Sequence, residues 1–312
     1  MKAAIVKNKG ETPVYDDVDA PIEQEGYFLI NVEASALSQL ARVRAAGTHY
    51  SSPKQYPFIA GIDGVGRLEN GQRVYFLLPE APWGGMSEQT LVPITHCINV
   101  PESLDAALAA AIANPGFSSW AALTRQAKIQ VGDTVLINGA TGTSGTLAVP
   151  IAKHLGASKV IVTGRNLEKL EQLRQQGANE VIPLDKLAEE LPRLFNEGID
   201  IVLDYLWGES ATVILNGAIN VESDPIRFVQ IGSISGDAIQ LSSKILRSSS
   251  LILIGSGLGS VSLEDLVTCV GELLFATAEK GFNLPYQTVP LSQLAHVWHD
   301  GGSDIRTVFL VS

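Results

Sequence analysis

The residues with the most chemical content are Ala140-Thr141-Gly142-Thr143-Ser144-Gly145. They follow the apolar run Val135-Leu136-Ile137-Asn138 and the turn residue Gly139, and apolar residues return at helical spacing in Leu147-Ala148-Val149-Pro150-Ile151-Ala152. A strand, a tight turn and a helix start make an anion site. Glycines let the backbone approach a pyrophosphate, and the free N–H groups and positive dipole end of the helix face its charge. Alanine stands at 140 where the dinucleotide fingerprint usually has its first glycine, so the spacing alone carries little. A second apolar run at 158–163 supplies the β-α-β order that the fingerprint requires. The other reading is a glycine-rich loop of purely structural purpose.

The end of that second run decides which dinucleotide is expected. A site for NAD places Asp or Glu there to hold the ribose 2′-hydroxyl. This chain reads Thr163-Gly164-Arg165-Asn166, with Lys169 close behind. Arg165 offers a planar fork for a phosphate and Asn166 a neutral donor, so the expected cofactor is NADPH. Alternatively, Arg165 is a solvated residue ahead of a helix over Leu167–Gln175.

Positioning these residues takes an alternating chain. Between 114 and 256, helices at 117–126, 147–154 and Leu167–Gln175 alternate with strands at 135–137, 160–163, 199–203, 227–231 and 251–254, which predicts a parallel sheet covered on both faces. Ligands bind at the carboxyl ends of such strands, where Ala140, Gly164, Asp204, Ile231-Gly232-Ser233 and Ser256 fall. Residues 1–113 read as short strands at 3–6, 27–34, 65–68, 73–77 and 87–92, a pattern that suggests a β-barrel. A helix is expected at 38–46, with a loop Gly47-Thr48-His49-Tyr50 after it. An alanine-rich helix at 104–113 is expected to stop before Asn114-Pro115-Gly116. Beyond 262 come a helix to about 280, a strand at 286–289, a helix at 291–299 and a closing strand at 307–311.

Composition bounds the rest. The 312 residues are 46% hydrophobic and 18% charged with a formal net charge of −11, which fits two domains and opposes nucleic acid or an anionic membrane as the main partner. Cys97 and Cys269 are far apart, with neither disulfide-framework nor thiolate-zinc spacing. The N-terminal apolar run is too short for a signal peptide and no run reaches the length of a membrane span, so a cytoplasmic location is expected.

Further stretches complete a recognisable order: Gly61-Ile62-Asp63-Gly64-Val65-Gly66, Gly71-Gln72-Arg73-Val74, Asn114-Pro115-Gly116-Phe117-Ser118-Ser119-Trp120-Ala121-Ala122-Leu123, Val131-Gly132-Asp133-Thr134-Val135 and Pro290-Leu291 followed by Trp298. Over nearly its whole length the chain resembles the medium-chain dehydrogenase/reductase superfamily, and within it the zinc-independent quinone oxidoreductases. The resemblance implies an α/β protein. A GroES-like β-barrel catalytic domain would span 1–113 and 257–312, and a Rossmann doubly wound parallel-sheet domain that binds NADPH would span 114–256, with an active cleft where they meet. Ser118 would stand near the nicotinamide. Ser38 falls near the catalytic cysteine of the zinc-dependent relatives, and Ile62-Asp63 replaces their His-Glu, so no metal is expected. Asp63 has two readings, a catalytic acid or a cap for its own turn. His296 and His299, with Asp300 next, could be imagined as ligands, but a metal needs more converging groups and a solvated helix is the simpler reading.

The implied reaction is hydride transfer from NADPH to a small molecule, a quinone or an α,β-unsaturated carbonyl. Tyr50 is the first candidate to donate a proton to the acceptor oxygen, its alternative being a packing aromatic; Ser38, Gln39 and Arg42 are secondary. The segment Leu37-Ser38-Gln39-Leu40-Ala41 departs from the Asn-Pro-x-Asp group common in quinone oxidoreductases. A zinc-free carbonyl reductase or alcohol dehydrogenase, and a non-catalytic NADPH-binding redox sensor, stay open as other classes. In relatives the strand at 251–254 pairs with its copy, so a homodimer is expected.

Overall fold

The alternation of short and long elements is visible along the whole chain in a computed structural model, which describes residues 1–219, 221, 224–299 and 305–311. Asp300 lies outside the described residues. The chain divides into two compact units, Met1–Asn114 with Leu266–Ser312, and Pro115–Asp265.

The first unit is built from β1 (Lys2–Val6), β2 (Val14–Asp17), β3 (Tyr27–Ala36), α1 (Gln39–Ala45), β4 (Phe58–Ile59), β5 (Asp63–Arg67), β6 (Arg73–Leu77), β7 (Gln89–Pro93) and β8 (Cys97–Asn99). Helix α2 (Ala106–Ala121) follows. The sequence reading stops a helix before Asn114-Pro115-Gly116, but α2 runs straight through that breaker and continues as a π-helical turn, Ala122–Gln126. Ala109–Ala113 are at most 1% exposed, so burial of a small-residue face outweighs the N–H that Pro115 lacks.

In the second unit, β9 (Thr134–Asn138), α3 (Thr143–His154), β10 (Lys159–Gly164), α4 (Leu167–Gln175), β11 (Glu180–Pro183), α5 (Leu187–Glu197), β12 (Ile201–Asp204), α6 (Gly208–Gly217), β13 (Ile226–Gln230), α7 (Ser243–Arg247) and β14 (Leu251–Gly255) alternate. The strands form a parallel sheet in the order β11-β10-β9-β12-β13-β14. This is the doubly wound order whose direction reverses between β9 and β12. Its middle strands are apolar on both faces, as in Val135-Leu136-Ile137, all fully buried. Sequence reading leaves β11, α5 and α6 unassigned. The α5 signal is present in Leu187, Leu191, Leu194 and Phe195, one apolar stripe that packs on the sheet.

The chain closes with α8 (Leu263–Lys280), β15 (Tyr286–Pro290), α9 (Leu294–Val297) and β16 (Arg306–Leu310). The expected helix over 291–299 is a 3-10 turn, Leu291–Gln293, followed by the single turn of α9. Among the described residues the first unit holds a sheet β2-β1-β4 and a larger one, β15-β16-β3-β5-β6-β8, with β7 on β3. Strand β16 is antiparallel to β3 with Val308 opposite Ala36, and β3 is antiparallel to β5. No helix among the described residues is long and apolar enough to cross a membrane.

Candidate functional site

The fingerprint turn is fixed by backbone. After β9 the chain turns at Gly139, whose φ of +88° suits glycine. The N–H groups of Gly139 and Ala140 both donate to the Thr163 carbonyl, at 3.1 and 2.9 Å, which ties the turn to the end of β10. Gly142 caps α3, is exposed and supplies no side-chain oxygen, so no side chain caps the positive end of this twelve-residue helix. A Cβ on Gly145 would lie 2.6 Å from both the Ala140 Cα and the Gly139 oxygen. The first turn of α3 therefore rests on the fingerprint at backbone contact.

The segment after β10 is drawn onto that turn. Lys169 donates from Nζ to the Thr141 carbonyl at 3.2 Å. Asn166 accepts from the Lys169 N–H through Oδ1 at 3.0 Å, capping α4 and leaving its Nδ2 as a donor. Arg165 and Asn166 are both exposed, and Gly164 packs beneath Thr141. The nearest acid in the chain is Glu168, exposed on the first turn of α4.

Across the reversal point of the sheet, buried Asp204 accepts from Asn138 Nδ2 at 2.7 Å and from the N–H groups of Leu206 and Trp207. Burial raises its carboxyl above the ordinary range against the pull of these donors. They hold Trp207 at φ +59° and ψ −156°, a conformation almost confined to glycine and costing a side chain about 1–3 kcal/mol. Next to it, the Tyr205 hydroxyl lies 2.7 Å from Ser119 Oγ, which in turn donates to the Ser144 carbonyl at 3.1 Å. Burial pushes the Tyr205 phenol up. Sequence reasoning singled out Ser118. That residue is half-buried and donates to the Pro115 carbonyl at 2.8 Å, whereas Ser119 touches the fingerprint helix. The N–H groups of Ile231 and Gly232 donate to the Asp204 carbonyl, that of Ser256 donates to Gln230, and Ser233 is exposed.

The remaining candidates lie in the first unit. Ser38 is 2% exposed, and its Oγ accepts from the Ala41 N–H at 3.0 Å as the cap of α1. Tyr50 is 76% exposed with its ring 4.1 Å from that of His49. Asp63 does not cap its own turn. It opens β5 and is 1% exposed, with Oδ2 accepting from the Tyr75 hydroxyl at 2.8 Å and Oδ1 buried without a hydrogen bond. Burial pushes its carboxyl up to about 6, in spite of the Arg306 charge and the Tyr75 bond. On Arg306, Nε and Nη2 are likewise buried without a hydrogen bond. His299 Nε2 lies 2.9 Å from the Thr12 hydroxyl. Among the described residues no group of three or more His, Cys, Asp or Glu is placed to hold a metal ion.

Known proteins resemble this chain in sequence and fold. The zinc-binding dehydrogenase family matches residues 145–273. A probable NADPH-dependent quinone reductase of Emericella nidulans is 28% identical over 362 aligned positions that cover all of both chains. Quinone oxidoreductase of Sus scrofa is 30% identical over 233 residues, 70% of this chain and 68% of that one. The quinone oxidoreductase of Thermus thermophilus, solved also in complex with NADPH, superposes with a TM-score of 0.79 at 25% identity over all of both chains. With its doubly wound sheet, its fingerprint turn and these likenesses over most or all of the relatives' lengths, the chain belongs to the quinone oxidoreductase family of the medium-chain dehydrogenase/reductase superfamily.

Proposed function

We propose that this chain is a zinc-independent, NADPH-dependent reductase that passes hydride to a quinone or an α,β-unsaturated carbonyl. The observation that carries the reading is the open N-terminus of α3, seated on the fingerprint turn through Gly145. Ala140, Thr141, Gly142, Thr143, Ser144 and Gly145 would hold the pyrophosphate, because backbone N–H groups at a helix start stabilise negative charge without a side chain in the way. Arg165, the free Nδ2 of Asn166 and Lys169, set beside Gly164, would hold the 2′-phosphate. Ser118, Ile231, Gly232, Ser233 and Ser256 would line the nicotinamide end. When bound, the dinucleotide supplies a hydride.

The chain's own part is to bind, orient and stabilise. As hydride reaches an enone or quinone, negative charge grows on a carbonyl oxygen, and a hydroxyl donor there lowers the barrier. Tyr50 is the first proposed donor and Ser38 the second; the Ser38 oxygen accepts at the α1 cap and its O–H can still donate. Tyr50→Phe is expected to lower turnover at least about tenfold with NADPH affinity unchanged; unaltered turnover removes Tyr50 from the mechanism. Metal independence is supported by Ser38 and the apolar, buried Ile62, neither suited as a zinc ligand.

The deciding experiment follows NADPH oxidation by metal-stripped protein against quinones, enones and simple ketones, beside NADH and the Arg165→Glu variant. Turnover of quinones or enones with NADPH is expected. In the variant, NADPH affinity is expected to fall roughly hundredfold, as loss of charge-assisted hydrogen bonds to a phosphate implies, and NADH affinity to change little. Turnover of ketones alone would reassign the chain to the carbonyl reductases, and NADPH binding with no acceptor would make it a sensor.

A homodimer is part of the same proposal. Strand β14 pairs only with β13 among the described strands, and Ile252 and Leu253 on it are 45% and 38% exposed. Pairing with a second copy would protect that edge. A monomeric mass in light scattering counts against it.

A further inference from the structure

The conformation of Trp207 is not one the fold needs a tryptophan to adopt. Its φ and ψ suit glycine, the next residue is a glycine, and Asp204 with Asn138 behind it holds the backbone there by hydrogen bonds. Such strain persists where the surroundings impose it, and it gathers at ligand sites. A purely structural tryptophan would be expected to bury its ring, yet Trp207 is half-buried, with its edge against Phe228 at a ring distance of 6.4 Å. Its other surroundings form a cavity of about 360 Å³ at the carboxyl ends of β13 and β14, lined also by Gln230, Ser233, Asp237, Leu253 and Ile254. That is a ligand-sized pocket at the end of the sheet where such folds bind ligands, with the indole, Leu253 and Ile254 as its apolar wall and Gln230, Ser233 and Asp237 as its polar one.

We infer that Trp207 is a binding residue whose indole walls a pocket for a flat, conjugated ring, the chemistry shared by a nicotinamide and a quinone. The inference rests on the reductase reading above and assigns to one side chain the recognition of a planar partner. An indole offers a broad, rigid face to such a ring at little entropic cost, whereas an acyclic acceptor gains less from it.

The test compares full-length wild type, Trp207→Gly and Trp207→Phe by thermal melting and by steady-state kinetics with NADPH, a naphthoquinone and an acyclic enone. Glycine accepts the backbone without strain, which offsets the lost packing on Phe228, so Trp207→Gly is expected to melt within a few degrees of wild type while a KM rises about tenfold. A rise in the KM for NADPH identifies the nicotinamide as the ring. A rise for naphthoquinone that exceeds the rise for the enone identifies the acceptor. Trp207→Phe, which keeps a flat face, is expected to recover most of the loss. Every KM within about twofold of wild type in a folded Trp207→Gly overturns the inference, whatever its melting temperature. Should the glycine variant not fold, quenching of tryptophan fluorescence by naphthoquinone or NADPH in wild type, lost in Trp207→Phe, decides it; quenching that persists in Trp207→Phe also overturns it. If wild type neither binds NADPH nor turns over, the reductase reading fails, and naphthoquinone quenching still reports on Trp207.

Discussion

Gly145→Val is expected to weaken NADPH binding by two orders of magnitude or more and to lower stability by about 3 kcal/mol. The atoms that a Cβ at 145 would strike, the Ala140 Cα and the Gly139 oxygen at 2.6 Å, are backbone, so no side chain can swing aside. Helix α3 must lift from the turn, and its first N–H groups leave the place where they face an anion. Hydrogen bonds to a charged group contribute roughly 1.5–3 kcal/mol each, and losing two of them gives the hundredfold figure or more. Gly142→Ala separates ligand contact from packing. At 142 φ is −82°, open to any residue, and an added Cβ would meet only the Gly139 oxygen, at 3.7 Å. That variant is expected to melt like wild type and still bind NADPH more weakly, because its methyl group stands at the helix tip. Calorimetric titration with NADPH beside thermal melting checks both; Gly145→Val with wild-type affinity would remove the pyrophosphate from this turn.

Glycines and apolar runs explain why the second unit is legible in sequence. Val135-Leu136-Ile137 before Gly139, and Gly145 after it, are residue types that the backbone path itself demands, so the strand, turn and helix can be read before any contact is known. Asn114-Pro115-Gly116 shows the limit: local propensity writes a helix end there, and burial of Ala109–Ala113 overrides it. Trp207 is illegible because nothing in its identity announces a positive φ, which only the hydrogen bonds of Asp204 reveal. Ser119 escapes notice because its partners, Tyr205 and Ser144, lie 86 and 25 residues away. In the first unit, reading Asp63 as the cap of a turn takes account only of its neighbours in sequence. Its determinants are Tyr75, on a neighbouring strand, and Arg306, which the chain brings near only at its end.

Those distant partners make Asp63 the source of a pH dependence whose sign can be worked out. In the unfolded chain its carboxyl titrates near 3.8, and in the folded protein burial pushes it up to about 6. Between those values the folded protein holds a proton that the unfolded chain has lost, so stability falls as pH rises through the window. The contribution is complete below pH 3.8, is lost by about pH 6 to 7, and amounts to about 3 kcal/mol. Other carboxylates titrate nearby, so the measurement is a difference. Asp63→Asn resembles the protonated residue at every pH, and the stability of wild type relative to this variant is expected to drop by about 3 kcal/mol from pH 4 to pH 7 in urea unfolding. Arg306 supplies the opposing argument. A guanidinium beside a carboxylate favours its charged form, and if that attraction outweighed burial Asp63 would titrate below 3.8 and wild type would gain on the variant as pH rises. Among the described residues the two groups are not within ion-pair distance, Asp63 Oδ1 and Arg306 Nε and Nη2 are each without a hydrogen bond, and the Asp63 carboxylate accepts from Tyr75 alone. Burial therefore wins, and a gap between wild type and Asp63→Asn that widens in favour of wild type with rising pH would show that Arg306 does.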